Sequence, residues 1–445
     1  MRAIQRSAYR RGYRAPDRRP ALAAVAAALV LLVAACTGSG HRPAQVSPAA
    51  NASVKAKASV KAAADAPQVT ITPANGVGAD PSAGIKVTVT RGKLTNVSVR
   101  TSGDAVPGRL SQGGTVWHSQ WALDLSQSYT VTATASGHGG RVTATSSFRT
   151  LTPGQTFRTE ILEGYDQTYG VGMPIILYFS QKITDRAAVE RSLQITTSKP
   201  VVGAWYWDYP CNMAVTCAYF RPRDYWPAGT RVSFTGHLNG VQGAPGVYGY
   251  HTLTQTFYIG ASLIAIGNTA MHRTQIYYNG RLRYNWPISS GRPGDDTPNG
   301  SYLTIEKANP VQMTGPGYSI SVPWSVRFTF SGDYYHDAYW SVGEQGFDNV
   351  SHGCVNLSPA DAQTYYELAV PGDPITIVGS PKSGTWDNGW TEWFLSWPRY
   401  LRGSALHQAV QAGPDGSTFV DPASLPASTA TAPLQTAAAN NSGAR

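Results

Sequence analysis

Charge is what this chain has least of. Asp, Glu, Lys and Arg make up 14% of its 445 residues, and no run of Lys and Arg interleaved with aromatics occurs beyond the N-terminus. The formal charge of +10 is concentrated there: residues 1–35 hold seven Arg against one Asp, a net +6 that leaves +4 for the rest. The electrostatic footprint of a nucleic-acid-binding surface is missing, which excludes nucleic acid as a partner. A mildly cationic chain is still drawn to an anionic envelope polymer. Cysteine is also scarce, with four in all. Long apolar runs are short too: Ala21 to Ala35 is about 15 residues against the ~20 that span a bilayer. Gly (45), Pro (30), Tyr (24) and Trp (12) are plentiful, and Thr and Val recur in alternation. That balance predicts short strands joined by turns, a mainly β chain, and its length predicts two to four domains.

The N-terminus has the layout of an export signal, a basic stretch to Arg19 followed by the apolar run. The run ends Leu32-Val33-Ala34-Ala35-Cys36, which resembles a bacterial lipobox. That resemblance implies a signal peptide over 1–35, a diacylglycerol on Cys36 and an extracytoplasmic place on the outer face of the membrane. A plain secretory signal and an uncleaved anchor are the alternatives. Two acyl chains anchor stably at about 0.8 kcal/mol per buried methylene. Residues 36–66, rich in Ala, Ser, Lys and Pro, read as the lipidated Cys and a flexible tether. Cys211 and Cys217 are close enough to pair across a small loop, and an oxidising exterior favours the disulfide over two buried thiols. A zinc half-site there lacks a second pair. Cys354 is left unpaired, and a lone thiol outside the cell invites oxidation.

Strand-like alternation begins at Gln68. Val69–Thr72, Ile85–Thr90, Tyr129–Ala135 and Val142–Phe148 suggest a β-sandwich over 67–152. A second unit, 153–259, offers Ile175–Phe179, Leu193–Thr197, Gly203–Trp207, Arg231–Thr235 and Thr254–Ile259 as strands. It also offers a helix over Asp185–Ser192. Its aromatics Trp205, Tyr206, Trp207, Tyr225 and Trp226 read as core packing, with a carbohydrate-binding strip as the rival. The third unit, 260–379, opens with a hairpin whose Asn279-Gly280 supplies the positive φ of a type I′ turn. Pro359–Leu368 reads as its helix, capped by Ser358. A Trp-rich subdomain spans 380–408, and 409–445 reads as a disordered tail.

The chemistry lies in Ser351-His352-Gly353-Cys354-Val355-Asn356-Leu357, with His336 18 residues before the Cys. A thiol attacks acyl groups as thiolate, and an unperturbed pKa of about 8.5 leaves little of it ionised at neutral pH. A neighbouring imidazole raises that fraction and shuttles the proton to a leaving amine. Gly353 clears a side chain from the substrate's approach, and its N–H is a candidate oxyanion donor. On spacing alone both His352 and His336 are candidate bases, because a turn at Gly353 breaks strand alternation. A metal site with His352 and Cys354 lacks further ligands at the expected spacing, so neither metal nor cofactor is expected.

This segment resembles the signature of the L,D-transpeptidases, the YkuD-type catalytic domain. Thr297-Pro298-Asn299-Gly300, Gly317-Tyr318, Ser331-Gly332, His336 and Trp340-Ser341-Val342-Gly343 are similar to the mycobacterial branch. Val171-Gly172-Met173-Pro174 and Tyr225 to Thr230 look like segments of that branch's second immunoglobulin-like domain. The resemblance covers roughly residues 68–408. It implies two immunoglobulin-like β-sandwich domains, a β-rich catalytic domain with one or two short helices, and a Trp-rich C-terminal subdomain. It implies a cysteine acyltransferase in which Cys354 attacks the third residue of a peptidoglycan tetrapeptide stem and D-alanine leaves. The amine of a second stem then takes the acyl group in a 3→3 cross-link. His336 becomes the base, oriented by the main-chain carbonyl of Asp337, where many relatives carry a small residue. Tyr318, Ser331, Gly332, Trp340, Ser351, His352 and Asn356 become substrate-binding residues, and carbapenem-type β-lactams become covalent inhibitors. Leu303 and Ala308 depart from the aromatic or Met lid residues of relatives. A carboxypeptidase on the same stems and a non-catalytic wall-binding lipoprotein are the alternatives. Sortases and the NlpC/P60 and papain-like peptidases order their residues differently.

Overall fold

Alternating apolar and polar residues build the first domain from two four-stranded sheets. One holds Gln68–Thr72, Lys86–Thr90, Val116–Ser119 and Gly108–Ser111 in that order; the other holds Gly76–Ala79, Gly140–Thr150, Ser128–Gly137 and Lys93–Arg100. Along Ser128–Gly137 the buried Tyr129, Val131, Ala133 and Ala135 point to the core. Thr130, Thr132 and Thr134 pair across the strand with Ser147, Thr145 and Thr143. The period of two thus sorts the residues between the faces. The structure is a computed structural model describing residues 65–211, 214–315 and 318–428. The signal peptide, Cys36, nearly all of the tether, Gly317 and the tail from 429 lie outside the described residues. Among those described, no helix is long and apolar enough to cross a membrane.

The second domain packs a six-stranded sheet on a four-stranded one. The first runs Thr159–Ile161, Ile175–Phe179, Thr216–Pro222, Val201–Asp208, Ala409–Gly413 and Gly416–Val420. Its last two strands correct the expectation of a disordered stretch from 409. Val201–Gly203 pairs antiparallel with Val410–Ala412, and Val410 and Ala412 bury their side chains in the domain's core. Trp205, Trp207 and Trp226 are fully or nearly buried there, which favours packing over a carbohydrate strip. Arg186–Arg191 is helical, with Asp185 capping the Ala188 N–H. Cys211 and Cys217 are joined by a disulfide across a six-residue separation.

The C-terminal subdomain binds the second domain to the third. The Arg221 guanidinium lies 4.3 Å from the ring centres of both Trp393 and Tyr400, and the Trp393 indole donates to the Gly172 carbonyl at 2.8 Å. Buried Glu190 accepts from Trp207, Ser404 and the Ala405 N–H. Gly170 and Gly172 donate to the carbonyls of Pro371 and Gly372. Leu303 is fully buried against Gly172, so its place is in this seam.

The third domain has a five-stranded sheet, Arg281–Pro287, Arg273–Tyr278, Leu263–Asn268, Pro374–Val378 and Gly300–Leu303. Asn279 (φ 48°) and Gly280 (φ 77°) turn its first hairpin as the sequence predicts. A four-stranded sheet of Glu306–Ala308, Ser325–Arg327, Tyr334–Asp337 and Val355–Leu357 carries the candidate site. The helix Pro359–Leu368, capped by Ser358 on the Asp361 N–H, packs Ala362 and Tyr365 into the shared core.

Candidate active site

The turn before the thiol admits only glycine. Gly353 sits at φ +127°, and a Cβ there would stand 2.4 Å from Asp333 Oδ1. Three hydrogen bonds lock it. Ser351 Oγ accepts from the Gly353 N–H (3.1 Å) and donates to the Cys354 carbonyl (2.6 Å), and the Thr297 hydroxyl donates to the Gly353 carbonyl (2.7 Å).

From this turn the chain enters Val355–Leu357, which pairs in parallel with Tyr334–Asp337. Tyr335 lies opposite Val355, His336 opposite Asn356 and Asp337 opposite Leu357. Tyr335, Val355 and Leu357 are fully buried in the core under the helix. Side chains alternate, so His336 and Asn356 point to the other face, and Cys354 leads into this strand from the Gly353 turn, two residues before Asn356.

His336 is 3% exposed, and its Nδ1 lies 2.7 Å from the Asp337 carbonyl. A carbonyl only accepts, so Nδ1 carries the proton and Nε2 keeps a lone pair. Burial pushes this imidazole down to about 4 against the opposing pull of the Asp337 carbonyl, so it is neutral. The half-exposed Trp340 ring lies 5.9 Å from it, between it and solvent. The Asp337 carboxyl follows the strand alternation to the opposite side. Its Oδ1 is buried without a partner, and burial pushes the group up. The departure at this position therefore leaves the main-chain contact intact and keeps the carboxyl off the ring.

The half-buried Cys354 donates from Sγ to the Gly332 carbonyl at 3.8 Å. Burial first, then the Asp333 carboxylate, pushes the thiol up to about 12 against the favourable Tyr334 N–H. The resting pair is a neutral thiol and a neutral imidazole. Desolvation thus opposes the thiolate that a neighbouring imidazole is expected to favour. His352 is exposed and lies beside Tyr318, with ring centres 5.2 Å apart and the rings tilted at 31°.

Several expected substrate contacts serve the frame. Ser351 is 8% exposed and spends its hydroxyl on the turn, where it accepts from the Gly353 N–H. Asn356 is 2% exposed and its amide donates to Ser341 Oγ at 2.9 Å, bracing the Tyr339–Ser341 turn. Tyr318, Ser331 and Trp340 are exposed, and Gly332 (φ +111°) has open space over its Cα. Sequence reasoning missed Asp333 and the residues that hold its loop, Arg327, Thr329 and Asn388. Their bonds to one another are local, but the approach to Gly353 and the brace from Asn388 arise only in the folded chain. Among the described residues, no group of three or more His, Cys, Asp or Glu is placed to hold a metal.

Comparison with known proteins matches both parts of the chain to known families. A bacterial Ig domain family matches residues 76–242, and the L,D-transpeptidase catalytic domain family matches residues 262–377. L,D-transpeptidase 2 of Mycobacterium tuberculosis (strain CDC 1551 / Oshkosh) is 32% identical over 402 residues, 87% of this chain and 96% of that protein. L,D-transpeptidase 5 of M. tuberculosis (strain ATCC 25618 / H37Rv) is 34% identical over 353 residues, 77% of this chain and 78% of that protein. The solved structure of LD transpeptidase LdtMt1 in complex with imipenem is 34% identical, covering 49% of this chain and 97% of that one, with a TM-score of 0.42. With a thiol, a tautomer-fixed imidazole and a two-sandwich stalk matched nearly end to end by a relative, the chain belongs to the L,D-transpeptidase family.

Proposed function

We propose that this transpeptidase forms 3→3 cross-links between peptidoglycan stems through a thioester on Cys354. What supports the reading is that His336 pairs with Asn356, two residues after Cys354, on adjacent parallel strands, with Nδ1 pinned by Asp337 so that Nε2 alone can take a proton. The Cys354 S–H proton passes to His336 Nε2 as Sγ bonds to the carbonyl carbon of the third stem residue. The carbonyl π electrons move to oxygen. As they return, the C–N bond to D-alanine breaks, and the imidazolium protonates the leaving amine. The side-chain amine of a second stem then attacks the thioester, its proton is taken by His336, and the thiol is restored. A neutral resting pair suits this sequence, because no charge is created until the proton moves towards a bound donor. Tyr318, Trp340, Ser331 and Gly332 offer the open surface for the stems.

The N-terminal segment supports placement as a lipoprotein on the outer face of the membrane, reaching into the wall on its tether and sandwiches. Since the relative named above was solved with imipenem, a carbapenem is a direct probe. Intact mass after incubation with imipenem is expected to show one adduct, absent in Cys354→Ala. An unmodified wild-type mass would leave the wall-binding reading in its place.

A further inference from the structure

Asp333 is anchored on one side and aimed on the other. Its Oδ2 accepts from the hydroxyls of Thr329 (2.7 Å) and Ser331 (3.2 Å), and its N–H donates to Thr329 Oγ1 (2.7 Å). Asn388 braces Ser331 from outside through its amide (2.9 Å) and from the Ser331 N–H (2.8 Å). Arg327 grips the carbonyls of Thr329 (2.8 Å) and Phe330 (2.7 Å) while pairing with Glu306 (2.8 Å). The other oxygen, Oδ1, lies against Gly353 at the place a Cβ would take, one residue from the thiol. The same loop supplies the Gly332 carbonyl that receives the Cys354 S–H.

The charges around this point are few. Burial pushes the Asp333 carboxyl up, the hydroxyls of Thr329 and Ser331 and then Lys382 and Arg327 oppose that, and among the described residues no ion pair within 4 Å neutralises it. Near Cys354 are Tyr334, with His336 two residues further along the same strand, and His352 turned to Tyr318. Behind Gly353 lies Asp295, already paired with Arg292 at 2.9 Å. A carboxyl anchored by Thr329 and Ser331 therefore stands against Gly353, one residue from the thiol.

We propose that Asp333 is a positioning residue that fixes the Thr329–Gly332 loop against the Cys354 turn and withholds the thiolate until a bound donor lets His336 take the proton. The inference rests on the reading of Cys354 as nucleophile. An exported thiol in permanent thiolate form is open to oxidation, whereas a neutral S–H is protected. In the reaction the proton leaves sulfur as the S–C bond forms, and negative charge gathers on the carbonyl oxygen. The repulsion that suppresses free thiolate is thus not met in full by the transition state.

The test is the pH profile of Cys354 alkylation by iodoacetamide in the full chain, alongside imipenem acylation. Asp333→Asn keeps an oxygen for Thr329 and Ser331 but removes the charge. Alkylation at pH 7–8 is expected to rise about tenfold with the profile moved to lower pH, while imipenem acylation changes only a few-fold. Asp333→Ala should show the same displaced profile with acylation reduced, because the loop is also released. Thr329→Val, which unhooks the carboxylate, should move the profile in the same direction and serves if the Asn variant does not fold. A folded Asp333→Asn with the wild-type profile overturns the proposal, as does an unmoved Thr329→Val if it must stand in. Failure of imipenem to acylate the wild type would instead overturn the nucleophile reading, which the alkylation profile does not depend on.

Discussion

Gly353→Ala puts one methyl into the tightest point of the site. Two costs follow from the geometry. A non-glycine residue at φ +127° carries backbone strain of about 1–3 kcal/mol. The new Cβ would also stand 2.4 Å from Asp333 Oδ1, so the carboxylate must move by about an ångström and loosen its bonds to Thr329 and Ser331. A hydrogen bond to a charged group contributes about 1.5–3 kcal/mol, so the variant should lose roughly 3–5 kcal/mol of local stability. The turn also aims the sulfur, and a misplacement of about an ångström costs on the order of 100-fold in rate. The assay is the rate of imipenem adduct formation by mass spectrometry, with a thermal melt on the same sample. The double variant Gly353→Ala/Asp333→Ala separates the costs, because it removes the clash and leaves the strain. Its stability loss should fall short of the sum of the single losses by about 1–2 kcal/mol. A Gly353→Ala protein that acylates within threefold of wild type and melts unchanged would refute the reasoning.

The remaining predictions follow the same contacts. Ser351→Ala removes both the bond to the Gly353 N–H and the bond to the Cys354 carbonyl, and acylation should fall by about 10–50-fold with the fold intact; an unchanged rate would return Ser351 to the role of a substrate contact. With His336 at about 4 and Cys354 at about 12, imipenem acylation should be flat from pH 5 to 9 and fall as pH drops through 4 and the imidazole protonates. A rate that climbs tenfold between pH 7 and 9 would show that free thiolate is the attacking species. Burial pushes Glu163 up to about 8 from its ordinary 4.5, so the folded state holds a proton that the unfolded chain releases. Its contribution to stability is full below about 4.5 and is lost as pH rises through 8. Glu163→Gln should flatten part of the decline in melting temperature between pH 5 and pH 8.5, and an identical slope in the variant would remove Glu163 from the account.

What was legible in the sequence was whatever depends on neighbours in the chain. Asn279-Gly280 announced its hairpin because positive φ at both positions is a local demand. Ser358 and Pro359 announced the helix because its first turn needs an acceptor and a residue without an N–H. His336 and Cys354 stood out by spacing, but the choice of His336 over His352 needed the family resemblance. Tertiary demands were hidden. Ala409–Gly413 has the composition of a tail and becomes a strand because Val201–Gly203 offers it an open edge. Lys93–Arg100, largely exposed along one face, shows too little alternation to be read without its partner strand. Ser351 and Asn356 look like substrate contacts beside a nucleophile, yet the backbone and Ser341 claim them first. Asp333 lies 20 residues before Gly353, and only the folded chain brings them into contact.

The most direct test of the central claim is incubation of the purified protein with disaccharide-tetrapeptides, followed by tandem mass spectrometry of the products. The account predicts dimers linked through the third residues of both stems, one D-alanine released per dimer, and neither product from Cys354→Ala or His336→Asn. Tripeptides without dimers would make the enzyme a carboxypeptidase, and unchanged substrate would contradict the assignment of Cys354 as its nucleophile.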